Sequence, residues 1–359
     1  MDADKSGLEG VVVAETRLSD VDGERGRLVI AGHDVEAIAG VWSFEQVCAA
    51  LWGVGVDEVR RGLGEGRTRA FEVLPRLGDA LTRTSGMDAL RASLAHVTDT
   101  GEPTVDATRL VGATAVFAAA WLRARAGEAP LPPRPEHGHA EDFLWMATGA
   151  KPDPATVKAF DAYLVTVSDH GMNASTFAAR VVASTGSDMV SAVVAGVGAL
   201  KGPLHGGAPG PVLDMLDAVG APGHAHGWIE GELAAGRRIM GMGHRVYRVR
   251  DPRAAVFERQ IERLAEVRAS GAGSRLALAR AVERAAEDAL RALHPERPLR
   301  ANVEFFTAVL LEGVGLPREA FSPAFAMGRV AGWCAHVMEQ RARGRLIRPA
   351  SRYVGPAPA

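Results

Sequence analysis

The stretch DPRAAVFERQIERLAEVRASGAGSRLALARAVERAAEDALRAL, residues 251–293, decides the fold class. Asp251-Pro252 has the form of an N-cap followed by proline at the first helical position, where the missing N–H costs nothing. Val256, Ile261, Leu264 and Val267 recur at helical spacing, and Gly271 is a stop. Ser274 reads as the cap of a second helix, with Leu278, Val282, Ala285, Ala289 and Leu293 on one face. Working outward, Pro154 precedes a helix carrying Phe160, Tyr163, Leu164 and Val167 that ends at Gly171. Ser322-Pro323 opens a long helix through Phe325, Val330, Trp333 and Val337 that stops near Gly344. Strand signals are confined to the start: Val11–Val13 and Leu28–Ile30, with Asp22-Gly23 between them as a hairpin-type turn. Strands alternating with helices are missing, which argues against a doubly wound sheet. The expected fold is mainly α with a short N-terminal β segment. The Pro/Gly/His-rich run 124–140 is expected to be an exposed loop.

Composition narrows the function. The 359 residues are 47% hydrophobic and 23% charged, with a formal net charge of -2. Apolar material is ample for a large core, and the charge balance gives no case for nucleic acid or an anionic membrane. The longest apolar runs, 112–122 and 192–200, fall short of the roughly 18 residues of a spanning segment and read as buried helices. The N-terminus is polar and acidic, unlike a targeting signal, so a cytoplasmic location is expected. Two cysteines, Cys48 and Cys334, make no disulfide framework, and no C-x-x-C pair offers zinc ligands. The basic residues are 4 lysines and 37 arginines, so an arginine carries meaning only inside a motif.

Three segments concentrate chemistry. In KGPLHGG, 201–207, glycines flank His205 and let a ligand approach the backbone. In GMGHRVYRVRDPR, 241–253, His244 is followed by four arginines and a helix start, an arrangement suited to a phosphate or carboxylate. It is neither a Walker loop nor a dinucleotide fingerprint. In NVEFF, 302–306, Glu304 is the only acid among apolar neighbours, a setting that raises a carboxyl pKa or demands a partner. Two imidazoles, a carboxylate and arginines suit either a two-histidine, one-carboxylate metal site or metal-free acid–base chemistry on a polycarboxylate gripped by arginines. The arginine density favours the second, because cations oppose a bound dication.

These segments, with GLEGVVVAETRLSDVDG at 7–23, SDHGMNASTFAARV at 168–181, STGSDMVSAVVAGVGALKGPLHGG at 184–207, GRVAGWCAHVMEQ at 328–340 and RPASRYVGP at 348–356, resemble the citrate synthase family in order and almost end to end. The resemblance implies a two-domain helical subunit. The large domain would comprise 1–207 plus 316–359, and a smaller domain, 208–315, would close over the substrates. It implies condensation of acetyl-CoA with oxaloacetate and water, with no metal and no prosthetic group. Residue by residue, His205 matches the histidine that bonds the thioester oxygen as the enol forms, and His244 the one that polarises the oxaloacetate ketone. His170 matches an oxaloacetate contact, with Asn173 in the same motif supporting the site. Arg253 and Arg329 match the arginines that clamp the carboxylates. Arg348 matches an arginine contributed across a homodimer, and Arg248 a contact to the coenzyme A phosphates.

Two positions depart from the family pattern. The base is an aspartate in the family motif N-V-D-F, and here it is Glu304. One added methylene moves the carboxylate by roughly 1.5 Å if nothing compensates. Pro209 stands where the family commonly has asparagine. The alternatives to this reading are a 2-methylcitrate synthase using propionyl-CoA, a catalytically weak or silent binding protein on the same scaffold, and a metal-dependent lyase using His205, His244 and Glu304. His33, His96, His137, His139, His224, His226 and His294 read as surface or loop residues, and His336 with Glu339 as packing beside Trp333.

Overall fold

The computed structural model describes residues 7–8, 10–205, 210–243, 247, 249–267, 272–296 and 299–356. Among them are fifteen α-helices and one three-stranded antiparallel sheet. The mainly helical expectation holds, and the helices Pro154–Val167, Pro252–Val267 and Phe321–Arg343 lie where the apolar spacing puts them. Asp251 behaves as expected of a cap, its Oδ1 accepting the Arg253 N–H at 3.0 Å. The next helix, Ala272–Leu293, begins two residues before Ser274, which lies inside its first turn instead of capping it. The stop expected at Gly271 falls outside the described residues. The long helix likewise begins at Phe321, so Ser322 and Pro323 occupy its first turn.

The sheet differs at its first strand. Ser19–Asp22 pairs with Arg27–Ile30 in the register Ser19↔Ile30 and Asp22↔Arg27, and His33–Asp34 adds a short third strand. Val11–Val13 is not a strand, and Val12 is 84% exposed. The turn explains this. A hairpin reversing just after Asp22 pairs the residues beside it, and those are 19–22 whatever their hydropathy.

The core is built around Pro103–Arg125, a 23-residue helix buried along most of its length. By length and hydropathy it could cross a membrane, unlike the shorter run seen in the sequence, but 89% of its apolar window is buried inside the protein. It crosses Val56–Val73 at a glycine contact. A Cβ on Gly66 would stand 2.5 Å from the Thr108 carbonyl oxygen, and one on Gly112 would stand 2.6 Å from the Arg67 nitrogen. The loop after this helix runs from Ala126 to Gly138, but its end is not surface: His139 is wholly buried, its Nδ1 3.2 Å from Arg67 Nη1. Arg67 donates in turn to Asp142 at 2.5 Å and to the His137 carbonyl at 2.9 Å. Cys48 and Cys334 are buried, and burial pushes both thiols up, away from thiolate chemistry.

Candidate active site

His205 follows the helix Met189–Leu200, in a turn closed by its own N–H donating to the Gly202 carbonyl at 3.0 Å. Opposite it is the first turn of the helix Ala174–Ser184. Asn173 caps that helix, its Oδ1 accepting the N–H groups of Ser175 and Thr176 at 3.1 Å each. Ser175 meets His205 Nε2 twice, with Oγ at 2.8 Å and its backbone N–H at 3.3 Å. Trp333 Nε1 donates to the same Oγ at 3.1 Å. A backbone N–H can only donate, so Nε2 is the unprotonated nitrogen and the neutral ring carries its proton on Nδ1. Burial, reinforced by the charge of Arg329, pushes the imidazole down to about 4. The ring is therefore neutral near pH 7 and presents one N–H.

Glu304 is positioned by a short pairing of two loops. Gly243 N–H donates to the Arg300 carbonyl at 2.7 Å, and Asn302 N–H to the Gly241 carbonyl at 2.9 Å. Asn302 Nδ2 adds a bond to the Gly243 carbonyl at 3.0 Å, while its Oδ1 caps the Glu304 N–H at 3.0 Å. The G-M-G arm leading to His244 is thus stitched to the start of the helix Val303–Val314, whose first turn holds Glu304. Gly241 has φ +74° and packs against Phe305, where a Cβ would come within 2.9 Å. His244 and Arg248, and with them Pro209, fall outside the described residues. Burial raises the Glu304 carboxyl to about 7, against the pull of Arg253. Glu304 opens on a cleft of about 1140 Å³ whose walls include Asn302, Met242, Leu204 and Lys201.

Arg253 and Arg329 complete the cluster. Arg253 is buried and grips Asp251 with two bonds, Nε to Oδ1 at 2.9 Å and Nη2 to Oδ2 at 2.7 Å. Burial disfavours its charge, and Asp251 more than compensates, so its pKa is raised. Arg329 donates through Nε to the Val167 carbonyl at 2.7 Å, and its buried Nη2 has no partner among the described residues. Burial lowers it to about 10. His170 Nε2 lies 3.1 Å from the Tyr247 hydroxyl, the rings meeting edge-on at 5.6 Å. Asn173 Nδ2 bonds the Gly171 carbonyl and Thr176 Oγ1, at 3.1 and 3.0 Å, and so holds the loop that carries His170.

Charges tie the group together. Arg253 acts on both Glu304 and Arg329, and Arg329 acts on His205. Arg348 is not gathered with them. It is exposed and lines a separate cleft of about 760 Å³ with Arg17, Phe177 and Glu339.

Reading the sequence missed several members. Ser175 and Tyr247 sit inside motifs quoted for their histidines, so position was the available signal. Asp251 was seen only as a cap and also holds Arg253. His336 is more than packing: its ring contacts both Asp169 oxygens at 3.2 Å and Arg180 Nη1 at 2.8 Å. Ser19 donates to Asp169 at 2.5 Å, tying the sheet to the residue before His170. No group of three or more metal-ligating side chains occurs among the described residues.

A family profile described as citrate synthase, C-terminal domain, matches residues 7–350. The chain belongs to the citrate synthase family. A citrate synthase of Mycolicibacterium smegmatis is 38% identical over 97% of this chain and 94% of its own length. A 2-methylcitrate synthase of Mycobacterium tuberculosis is 35% identical over 98% of this chain and 90% of its own. The ternary complex of carboxymethyl coenzyme A and oxaloacetate with citrate synthase from Thermoplasma acidophilum superposes with a TM-score of 0.84, at 30% identity, covering 99% of this chain and 97% of that one. Citrate synthases are acyltransferases, and this chain is an enzyme of that class.

Proposed function

We propose that this enzyme condenses acetyl-CoA with oxaloacetate and water, giving citrate and coenzyme A. The observation that carries the reading is a carboxyl held near 7 beside Arg253 and an imidazole held neutral beside Arg329, two buried arginines that act on one another. The acetyl methyl is a very weak carbon acid, and an ordinary carboxylate of pKa about 4.3 is a feeble base for it. Glu304 is stronger, and takes a methyl proton as the thioester oxygen gains charge. His205 Nδ1–H donates to that oxygen, a contribution of about 3–4 kcal/mol for one oriented donor in a dry site. A neutral imidazole serves this better than an imidazolium, which would give up its proton early. The enol carbon then attacks the oxaloacetate ketone carbon, and His244 supplies the proton to the new alkoxide. Water cleaves the thioester of the resulting citryl-CoA and releases the thiol. Arg253 and the unpaired Nη2 of Arg329 hold the oxaloacetate carboxylates, His170 contacts the same substrate, Asn173 fixes its loop, and Arg248 meets the coenzyme A phosphates. Neither metal nor prosthetic group has a step in this sequence.

In this reading residues 208–315 close over a large domain of 1–207 plus 316–359, excluding water until both substrates are bound. Two subunits pair so that Arg348 of each completes the other's site. The enzyme works in the cytoplasm. The relative named 2-methylcitrate synthase favours one second reading, the same mechanism with propionyl-CoA.

Free-thiol release by purified protein given oxaloacetate with acetyl-CoA or propionyl-CoA, beside Glu304→Asp, tests the proposal. The expected result is release with acetyl-CoA that falls in the variant, because a misplacement of about 1 Å costs on the order of 100-fold. Preference for propionyl-CoA makes the second reading correct. No release with either thioester, restored in the variant, overturns both and leaves a binding role.

A further inference from the structure

The helix Pro154–Val167 ends just before His170, and Tyr163 is on its inner face with no exposed surface. Its hydroxyl is buried and has no hydrogen-bond partner among the described residues. Such a group is costly, because it has given up water and gained nothing. Its surroundings show what would satisfy it. One turn further along, Val167 accepts the Nε–H of Arg329, whose own Nη2 is the other unpartnered atom of this region. That approach is close: a Cβ on Gly328, beside Arg329, would stand 2.4 Å from Val167 Cγ2 and 3.1 Å from the Leu164 carbonyl oxygen. On its other side the Tyr163 ring meets Phe257 at 5.5 Å between centroids, one helical turn after Arg253. Tyr163 therefore packs beside the turns that carry the two arginines assigned above to the carboxylates. Both act on it electrostatically, and both favour negative charge at that point.

We propose that Tyr163 is a substrate-binding residue, its O–H donating to the oxaloacetate carboxylate held by Arg329 and Arg253. Two donors without a partner among the described residues, an O–H and an Nη2–H, near a second guanidinium, suit one carboxylate. The inference rests on the proposed function, because it takes oxaloacetate as the ligand.

The test is Tyr163→Phe, which deletes one oxygen and keeps the ring that packs on Phe257 and Phe160. Calorimetric titration with oxaloacetate alone reads binding without turnover, and steady-state thiol release reads KM and kcat separately. The expected result is roughly 10-fold or greater weakening of oxaloacetate binding, the usual worth of a hydrogen bond to a charged group. KM for oxaloacetate rises in step, KM for acetyl-CoA is unchanged, and the thermal midpoint is unchanged or higher because an unsatisfied hydroxyl is gone. Unchanged oxaloacetate affinity in Tyr163→Phe, with wild type binding and turning over, overturns this inference alone and means water satisfies the hydroxyl. Equal loss of affinity for both substrates together with a lower midpoint also overturns it, as a structural role. A wild-type protein that binds no oxaloacetate overturns the proposed function and this inference with it.

Discussion

Glu304 and His205 are displaced in opposite directions by the same physical cause. Burial disfavours whichever form is charged, so it raises the carboxyl to about 7 and lowers the imidazole to about 4. As the proposed base, Glu304 must be ionised to take a proton, so kcat/KM is expected to rise with pH, through a single ionisation near 7, to an alkaline plateau. Below about pH 6 the slope approaches tenfold per unit. His205 adds no ionisation of its own in that range, because it is already neutral above its folded value. A pH–rate profile between 5 and 9 measures this. A profile already flat above about pH 5.5 would mean that Glu304 ionises near an ordinary carboxylate value, in water and not in a dry recess.

At the scale of elements, the site depends on the pairing of 241–243 with 300–302. Gly241 is the vulnerable point, with φ +74° and Phe305 filling the space a side chain would need. Gly241→Ala is expected to cost about 1–3 kcal/mol from backbone strain alone, with further loss from the clash, and to reduce thiol release more than folding by displacing Asn302 and Glu304. Gly231→Ala, inside an exposed helix with nothing within 4 Å, is the contrasting substitution and should be neutral or stabilising by up to about 1 kcal/mol. Urea midpoints for the two variants separate these outcomes. The same elements show what was legible beforehand. Helices such as Pro154–Val167 announce themselves because spacing and end signals are local. The strand Ser19–Asp22 did not, because its sequence is polar and only its neighbour across the turn makes it a strand. Burial of His139 was equally hidden, since its partner Arg67 lies 72 residues earlier. Glu304 and His205 stand out through their motifs, whereas Ser175, 30 residues before His205, has no meaning until the chain brings the two together.

The whole molecule raises a question that one chain leaves unfinished. Arg253 and Arg329 share a buried cluster, while Arg348 is exposed in the C-terminal segment and faces a different cleft. An arginine meant for a substrate carboxylate gains nothing by standing in water, where its charge is already solvated. In the proposed dimer a two-fold axis would carry the segment 344–356 of each subunit to the other's site, and the two sites would be completed reciprocally. Complementation tests this directly. Arg348→Ala and His205→Ala should each abolish most thiol release as separate proteins. If they are unfolded together in equal amounts and refolded, half of the dimers are mixed. Each mixed dimer then holds one site with His205 from one chain and Arg348 from the other. Activity should return to about a quarter of wild type, one intact site in each mixed dimer. If Arg348 served its own chain, every site in the mixture would lack one residue or the other. The activity would then stay at the level of the separate variants, so absence of recovery in a mixture shown to be dimeric would place Arg348 outside the partner's site.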